Sequence, residues 1–230
     1  LYDLHVRGDF GLKAPGNIII VAIDDATLDI MADRLEGMKW PYPRAVHAKI
    51  LENLARLGAK AVFLDILFDI PSGYGKKDDE KLERALKRIP TVLAAEIEKG
   101  VNNLPLERFL KAGSQPGNAM IPVDIDGVVR DMFGAKGFPK GFTNTLGYFT
   151  GGWGDSGNTE KAAGVDSLPS AANTILKLVR RGGSEPEQGM IRFFGPPGSF
   201  KTISYFELYD DALAEEYKGY LAGKIVWIWR

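Results

Sequence analysis

The sequence predicts an α/β fold over residues 1–230: a mixed, mainly parallel sheet flanked by helices in a single compact domain. Three observations predict it. Asn17-Ile18-Ile19-Ile20-Val21-Ala22-Ile23 is continuously apolar and β-branched, then breaks to Asp24-Asp25, the pattern of a strand buried on both faces. Residues 43–57 change to helical spacing, with Val46, Ile50, Leu54 and Leu57 on one stripe. A second buried run, 61–67, follows at once. Strand, crossover helix and strand in that order make a parallel βαβ unit, whose two strands are expected side by side.

Each element has a local cause. Pro43 is tolerated in the first turn of the 43–57 helix and Gly58 stops it. Asp78 is expected to cap the next helix, with Leu82, Ala85, Leu86 and Ile89 facing inward, until Pro90 forbids continuation and 91–95 returns to extended structure. A short helix at 106–110 is followed by two expected strands, 118–123 and 128–132. Between them lies Asp124-Ile125-Asp126-Gly127, whose Asp-Gly is a hairpin turn signal. Residues 134–164 are glycine-rich, carry Tyr148 and Trp153, and keep neither period, so a long loop is expected. A helix over 167–181 ends at Gly182-Gly183, and a strand over 190–194 leads into Gly195-Pro196-Pro197-Gly198. Ser204 and Glu207 have capping-box spacing for a short helix through Leu208, and 224–229 is the last strand.

Composition narrows the function classes. The 29 lysines and arginines nearly balance 30 aspartates and glutamates, for a net charge of -1, so no basic field gathers nucleic acid. With no cysteine, disulfides, thiolate catalysis and thiolate metal sites are excluded together. The longest dense apolar stretch, 18–23, is far short of the roughly 20 residues that cross a bilayer, and no signal peptide precedes it.

Gly195-Pro196-Pro197-Gly198-Ser199-Phe200-Lys201-Thr202 differs from a phosphate-cradling G-x-x-x-x-G-K-[ST] loop at one position. Phe200 places a benzyl group where the second glycine must let backbone amides approach the phosphates, and Ile203-Ser204-Tyr205-Phe206 is a poor first turn for the helix that should follow. A structural Pro-Gly turn is the expectation. The acidic set Asp24, Asp25, Asp65 and Asp69 ends the first two strands, and the carboxyl edge of an open α/β sheet is where ligands bind. Such carboxylates need a cation or arginine beside them, or they cap helices at the strand-to-helix turns. Oxygen-only ligation would suit magnesium or calcium. Arg44, stiffened by Pro41 and Pro43, is the natural partner, either for a ligand or in an internal salt bridge. Arg130 stands in the same position relative to Asp124 and Asp126. His5 and His47 have no second histidine at metal spacing and are read as surface or half-buried imidazoles. Neither a G-x-S-x-G elbow nor an H-E-x-x-H motif occurs.

These residues resemble the CHASE domain of the second type, the cyclase and histidine-kinase-associated sensory extracellular domain of bacterial receptors. Trp40-Pro41-Tyr42-Pro43-Arg44 is similar to the family's tryptophan-proline-aromatic-proline-arginine signature. Tyr2-Asp3-Leu4-His5-Val6-Arg7 resembles its lead-in, which would place residues 1–14 near the membrane. Ile20-Val21-Ala22-Ile23-Asp24-Asp25 resembles its first strand, and the stretches 58–68, Asp78-Asp79 with Leu82, 124–130, 194–200, Ser204-Tyr205 and 223–226 also match. The end, Trp227-Ile228-Trp229-Arg230, departs from the family's glycine turn, and residues 134–164 match poorly. The resemblance implies an extracytoplasmic sensory domain of an inner or plasma membrane receptor, tied to the membrane by flanking helices outside this chain. It implies output through a cytoplasmic cyclase or kinase and a homodimeric assembly. Asp24, Asp25, Arg44, Asp65, Asp69 and Arg130 are the candidate residues for an unidentified small ligand, with no catalytic residue and no cofactor expected. The rival expectation is a metal-dependent phosphate- or acyl-processing α/β enzyme using the strand-end aspartates.

Overall fold

The structure, a computed structural model, describes residues 13–37, 39–98, 101–120, 131–133, 168–180, 188–190, 194–195 and 198–230. The strands are β1 (Ile18–Ala22), β2 (Ala61–Leu67), β3 (Thr91–Glu98), β4 (Val101–Asn103), β5 (Gln115–Asn118), β6 (Asp131–Phe133), β7 (Gln188–Met190), β8 (Thr202–Ser204) and β9 (Ile225–Trp229). The helices are α1 (Asp25–Arg34), α2 (Arg44–Arg56), α3 (Lys76–Leu86), α4 (Glu107–Lys111), α5 (Ala171–Val179), α6 (Tyr205–Tyr209) and α7 (Asp211–Glu216).

Six strands run parallel in the order β5-β3-β2-β9-β1-β8. β4 folds back antiparallel on the last three residues of β3, and β6 and β7 form a separate antiparallel pair. The predicted α/β class holds, with one correction to the neighbours. β1 and β2 do not touch, because the final strand lies between them: β9 pairs Ile18↔Ile225 through Ala22↔Trp229 on one edge and Ala61↔Ile225 through Leu64↔Ile228 on the other. All three strands are apolar on both faces, so the pattern is satisfied by any neighbour and does not select one.

Alternation along the strands divides the core. One face carries Ile19, Val21, Val62, Leu64, Leu93, Val226 and Ile228 against the stripes of α2 (Val46, Ile50, Leu54) and α3 (Leu82, Ala85, Leu86), with Tyr205 and Leu208 of α6 closing the cluster. The other face carries Ala61, Phe63, Val92 and Ala94 beneath Ala171 and Ile175 of α5. Helix and strand approach closely there. A Cβ on Gly117 would stand 2.6 Å from the Ala171 Cα and from the Val92 Cγ1, so only glycine fits between β5 and α5.

Three local expectations change. α3 begins at Lys76 with Gly75 as its N-cap, so Asp78 lies inside the first turn and does not cap its own helix. β5 ends at Asn118 and pairs parallel with β3, so the expected strand does not continue through Ala119 and Met120; Asp131 and Met132 pair with Met190 and Gly189, and the expected 124–127 turn lies outside the described residues. Residues 25–34, unassigned from the sequence, are helical because Asp24 caps them. Of the lead-in 1–14 only Lys13 and Ala14 are described, and the 134–164 stretch lies outside the described residues.

Candidate functional site

Asp24 follows β1 directly, and its side chain accepts from the Thr27 backbone N–H at 2.9 Å and hydroxyl at 2.6 Å, closing the amino end of α1. Its second oxygen accepts the Ser204 hydroxyl at 2.5 Å, which ties the ends of β1 and β8 together. Burial would raise its pKa, but the hydrogen bonds from Ser204 and Thr27 outweigh it and hold the carboxyl below the usual range. Asp25 opens α1 and is exposed. Because β9 intervenes, Asp24 and the end of β2 are two strand spacings apart, about 10 Å. The structure therefore does not gather the four aspartates into one cluster. Among the described residues no group of three or more acidic or imidazole side chains could hold a metal ion.

Arg44 is where the predicted residues meet others. Pro43 has no side chain to cap α2, and the cap is supplied from a distance: the Asp78 carboxylate accepts the Arg44 N–H at 2.7 Å and the Ala45 N–H at 2.8 Å. The Ser72 hydroxyl donates to the same carboxylate at 2.6 Å. The Arg44 guanidinium donates to the Ile70 carbonyl at 3.2 Å, lies 4.6 Å from the Phe68 ring centroid and stands 3.8 Å from Asp79. Burial pulls the Arg44 pKa down, opposed by the charges of Asp79, Asp78 and Asp69. Its Nε atom is buried without a hydrogen-bond partner. Asp79, 3% exposed at its side chain, is shared with Arg108 at 3.6 Å, and Arg108 also bonds Glu83 at 3.0 Å. Beside this network opens a cleft of about 390 Å³ bounded by Ser72, Lys76, Asp79, Leu106 and Arg108. Arg44 thus takes the internal salt-bridge role weighed for it, with Asp79 as its partner. Asp78, Asp79 and Arg108 were missed as partners. An aspartate pair in the first turn of a helix reads as dipole complement from sequence alone, and only its burial separates it from that.

Behind Arg44 stands an aromatic wall. His47 is 2% exposed, where the sequence predicted a surface or half-buried ring, because α2 turns it inward onto Trp40, Phe68 and Tyr205. Its Nδ1 is 2.5 Å from the Tyr205 hydroxyl. Burial, with the Arg44 charge added, lowers its pKa to about 3, so the ring is neutral. A neutral ring that serves the Tyr42 backbone with its N–H leaves Nδ1 to accept from Tyr205. Tyr205 stacks on Tyr42 at 6.3 Å, and the Arg230 guanidinium at the end of β9 lies 5.3 Å from the Trp40 ring. The Trp-Pro-Tyr-Pro-Arg segment therefore touches β2, β8 and β9 at their carboxyl ends.

Asp65 is on the opposite face. It sits half-buried where the β2–β3 register slips between Leu64↔Leu93 and Leu67↔Ala94. Desolvation raises its pKa, a hydrogen bond with the Trp227 side chain opposes this, and the nearby Glu96 charge adds to the rise. Trp227 packs edge-on against Phe63 at 4.9 Å and is 36% exposed, and Trp229, two residues on, is 48% exposed. Arg130 lies outside the described residues. Phe200 of the near-phosphate loop is edge-on to Phe194 at 5.9 Å, and the loop opens into strand β8 and not into a helix.

The family model described as the CHASE2 domain matches residues 1–228 of the chain. No curated protein and no solved structure matches it.

Proposed function

Because the chain belongs to the CHASE2 domain family, whose members are extracellular sensory domains of signalling proteins, we propose that it is the extracytoplasmic input domain of a bacterial transmembrane receptor. The sensory, non-catalytic character of the family supports a role in which the chemistry is done elsewhere. In the fuller reading, helices flanking the chain anchor it in the membrane, the receptor works as a homodimer, and the output is a cytoplasmic cyclase or kinase.

The observation that supports this reading is that Asp24 and Arg44 are already engaged within the domain. Asp24 closes α1, and Arg44 is held by the Ile70 carbonyl, the Phe68 ring and Asp79. Groups held this way build a rigid edge and are not free to move protons or ligate a catalytic metal. The enzyme reading would need convergent oxygen ligands, and β9 keeps Asp24 apart from Asp65.

Transmission can run through β9. This strand is paired on both edges, and Arg230, the residue that follows it, lies over the Trp40 ring, so a ligand that favours one arrangement of the carboxyl edge alters how β9 leaves the domain. The shift is limited by the ligand's differential affinity for the two arrangements.

The absence of cysteine in this chain makes a direct test clean. Single cysteines at the exposed positions Asp25 and Lys218, in the full-length polypeptide with any other cysteines replaced, should react with a membrane-impermeant maleimide in intact cells. Labelling only after permeabilisation would overturn the extracytoplasmic placement.

A further inference from the structure

The sheet face that carries α5 is not covered evenly. Alternation places Ile20, Ile225, Trp227 and Trp229 on the same face as Phe63, and α5 packs over Ala61, Phe63, Val92 and Ala94, away from the β9 carboxyl end. At that end two indoles are exposed, Trp227 at 36% and Trp229 at 48%. Parallel pairing runs Phe63↔Trp227 and Leu64↔Ile228, Asp65 and Trp229 follow those pairs in their strands, and Asp65 meets the Trp227 indole.

The chemistry there is unbalanced. Asp65 is a half-buried carboxylate in a strand, and the side chains acting on it are the Trp227 indole and a second acid, Glu96, with no cation among them. Glu96 is exposed and, among the described residues, its hydrogen-bond partner is the Asn103 amide, at 3.4 Å. Every other buried or half-buried acid described above has a cation, a backbone N–H or a hydroxyl beside it. The β2–β3 register slip falls at Asp65-Ile66, and such a bulge re-aims side chains at a sheet's rim.

We propose that Asp65, Glu96, Trp227 and Trp229 form a binding site for a small organic cation, an amine or quaternary ammonium group. The indole faces attract a cation through their quadrupoles, and the carboxylates supply the opposite charge. An anionic ligand meets two like charges, and a neutral apolar ligand leaves Asp65 desolvated and unpaired. The site lies at the carboxyl ends of β2 and β9, and the inference rests on the sensory reading above for its consequence, though not for its chemistry.

The test titrates the 230-residue chain with choline and with its neutral isostere 3,3-dimethylbutanol, following the indole N–H resonances by NMR. The expected result is a saturable shift of the Trp227 and Trp229 signals with the cation and at least tenfold weaker binding of the neutral isostere. Asp65→Asn should weaken the cation at least tenfold. Trp229→Leu, at an exposed position that leaves the core untouched, should do the same and guards against a misfolded Asp65 variant. Equal binding of the neutral isostere, or unchanged affinity in Trp229→Leu, overturns the site. So does a dimer that buries both indoles and dissociates in Trp229→Leu without any cation binding. Binding without any change in the output of the full receptor would leave the site standing and sink its sensory use, whereas absent binding with correct maleimide labelling would sink the site alone.

Discussion

The carboxylate of Asp78 accepts the backbone N–H of Arg44 at 2.7 Å, so a residue in the first turn of α3 closes the amino end of α2 across 34 positions of chain. Pro43 holds the N-cap position without a capping side chain, so this contact couples the two helices. Asp78→Ala leaves the amides of Arg44 and Ala45 without this acceptor and should cost about 1–3 kcal/mol. Asp78→Asn, which keeps one oxygen, should cost less. Urea midpoints at constant slope give both values. Equal stability of Asp78→Ala and the native chain would refute the capping role.

His47 predicts a pH dependence. Its folded pKa is about 3 and the ordinary value is 6.5. Between those values the unfolded chain binds a proton that the folded chain does not, so stability is full above about pH 6.5 and falls as the pH drops, by roughly 1.4 kcal/mol per unit. The loss attributable to this ring between pH 7 and pH 5 should be about 2 kcal/mol. His47→Gln, which cannot titrate, should show a shallower acid slope in paired denaturation series. An unchanged slope would mean that the ring is not buried as described.

Arg44→Lys is a further test, because a single ammonium cannot reach the Ile70 carbonyl, lie over the Phe68 ring and face Asp79 together. A loss of about 1–3 kcal/mol is expected. Arg44→Met should cost more, since it leaves the buried Asp79 with Arg108 as its remaining cation. If Met proves the milder change, the ion pair is not what the segment needs.

Gly117→Ala should destabilise by about 1–3 kcal/mol through overpacking. The added methyl meets the Ala171 backbone and has no flexible side chain to push aside there. A crystal structure or amide-exchange map of the variant should show the disturbance at α5 and β5, while α2 and α3 on the other face keep their protection. Uniform loss of protection would show that the two faces do not separate in this way.

Much of this fold could be read in advance, because strands and helices announce themselves over a few residues. β2 at Ala61–Leu67 and α2 at Arg44–Arg56 follow from an apolar run and a 3.6-residue stripe. The capping spacing of Ser204 and Glu207 likewise places α6, with Glu207 accepting the Ser204 N–H at 2.9 Å. The candidate site was legible only as a set of residue types: Arg44 was singled out correctly as a pinned arginine, but Asp78 reads as the cap of its own helix, and nothing local marks Asp79, or the Arg108 that shares it, as part of the same network.

Local patterning thus located β1, β2, β3 and β9 and the stripes that cover them, since side-chain alternation and helical spacing depend on neighbours within a turn or two. Long-range pairing alone put β9 between β1 and β2, separated Asp24 from Asp65, and turned His47 inward. Those outcomes depend on contacts between residues up to two hundred positions apart. Strands apolar on both faces are satisfied by any neighbour, so their order is chosen by the packing of the whole sheet and helices, and that packing decides which charges meet.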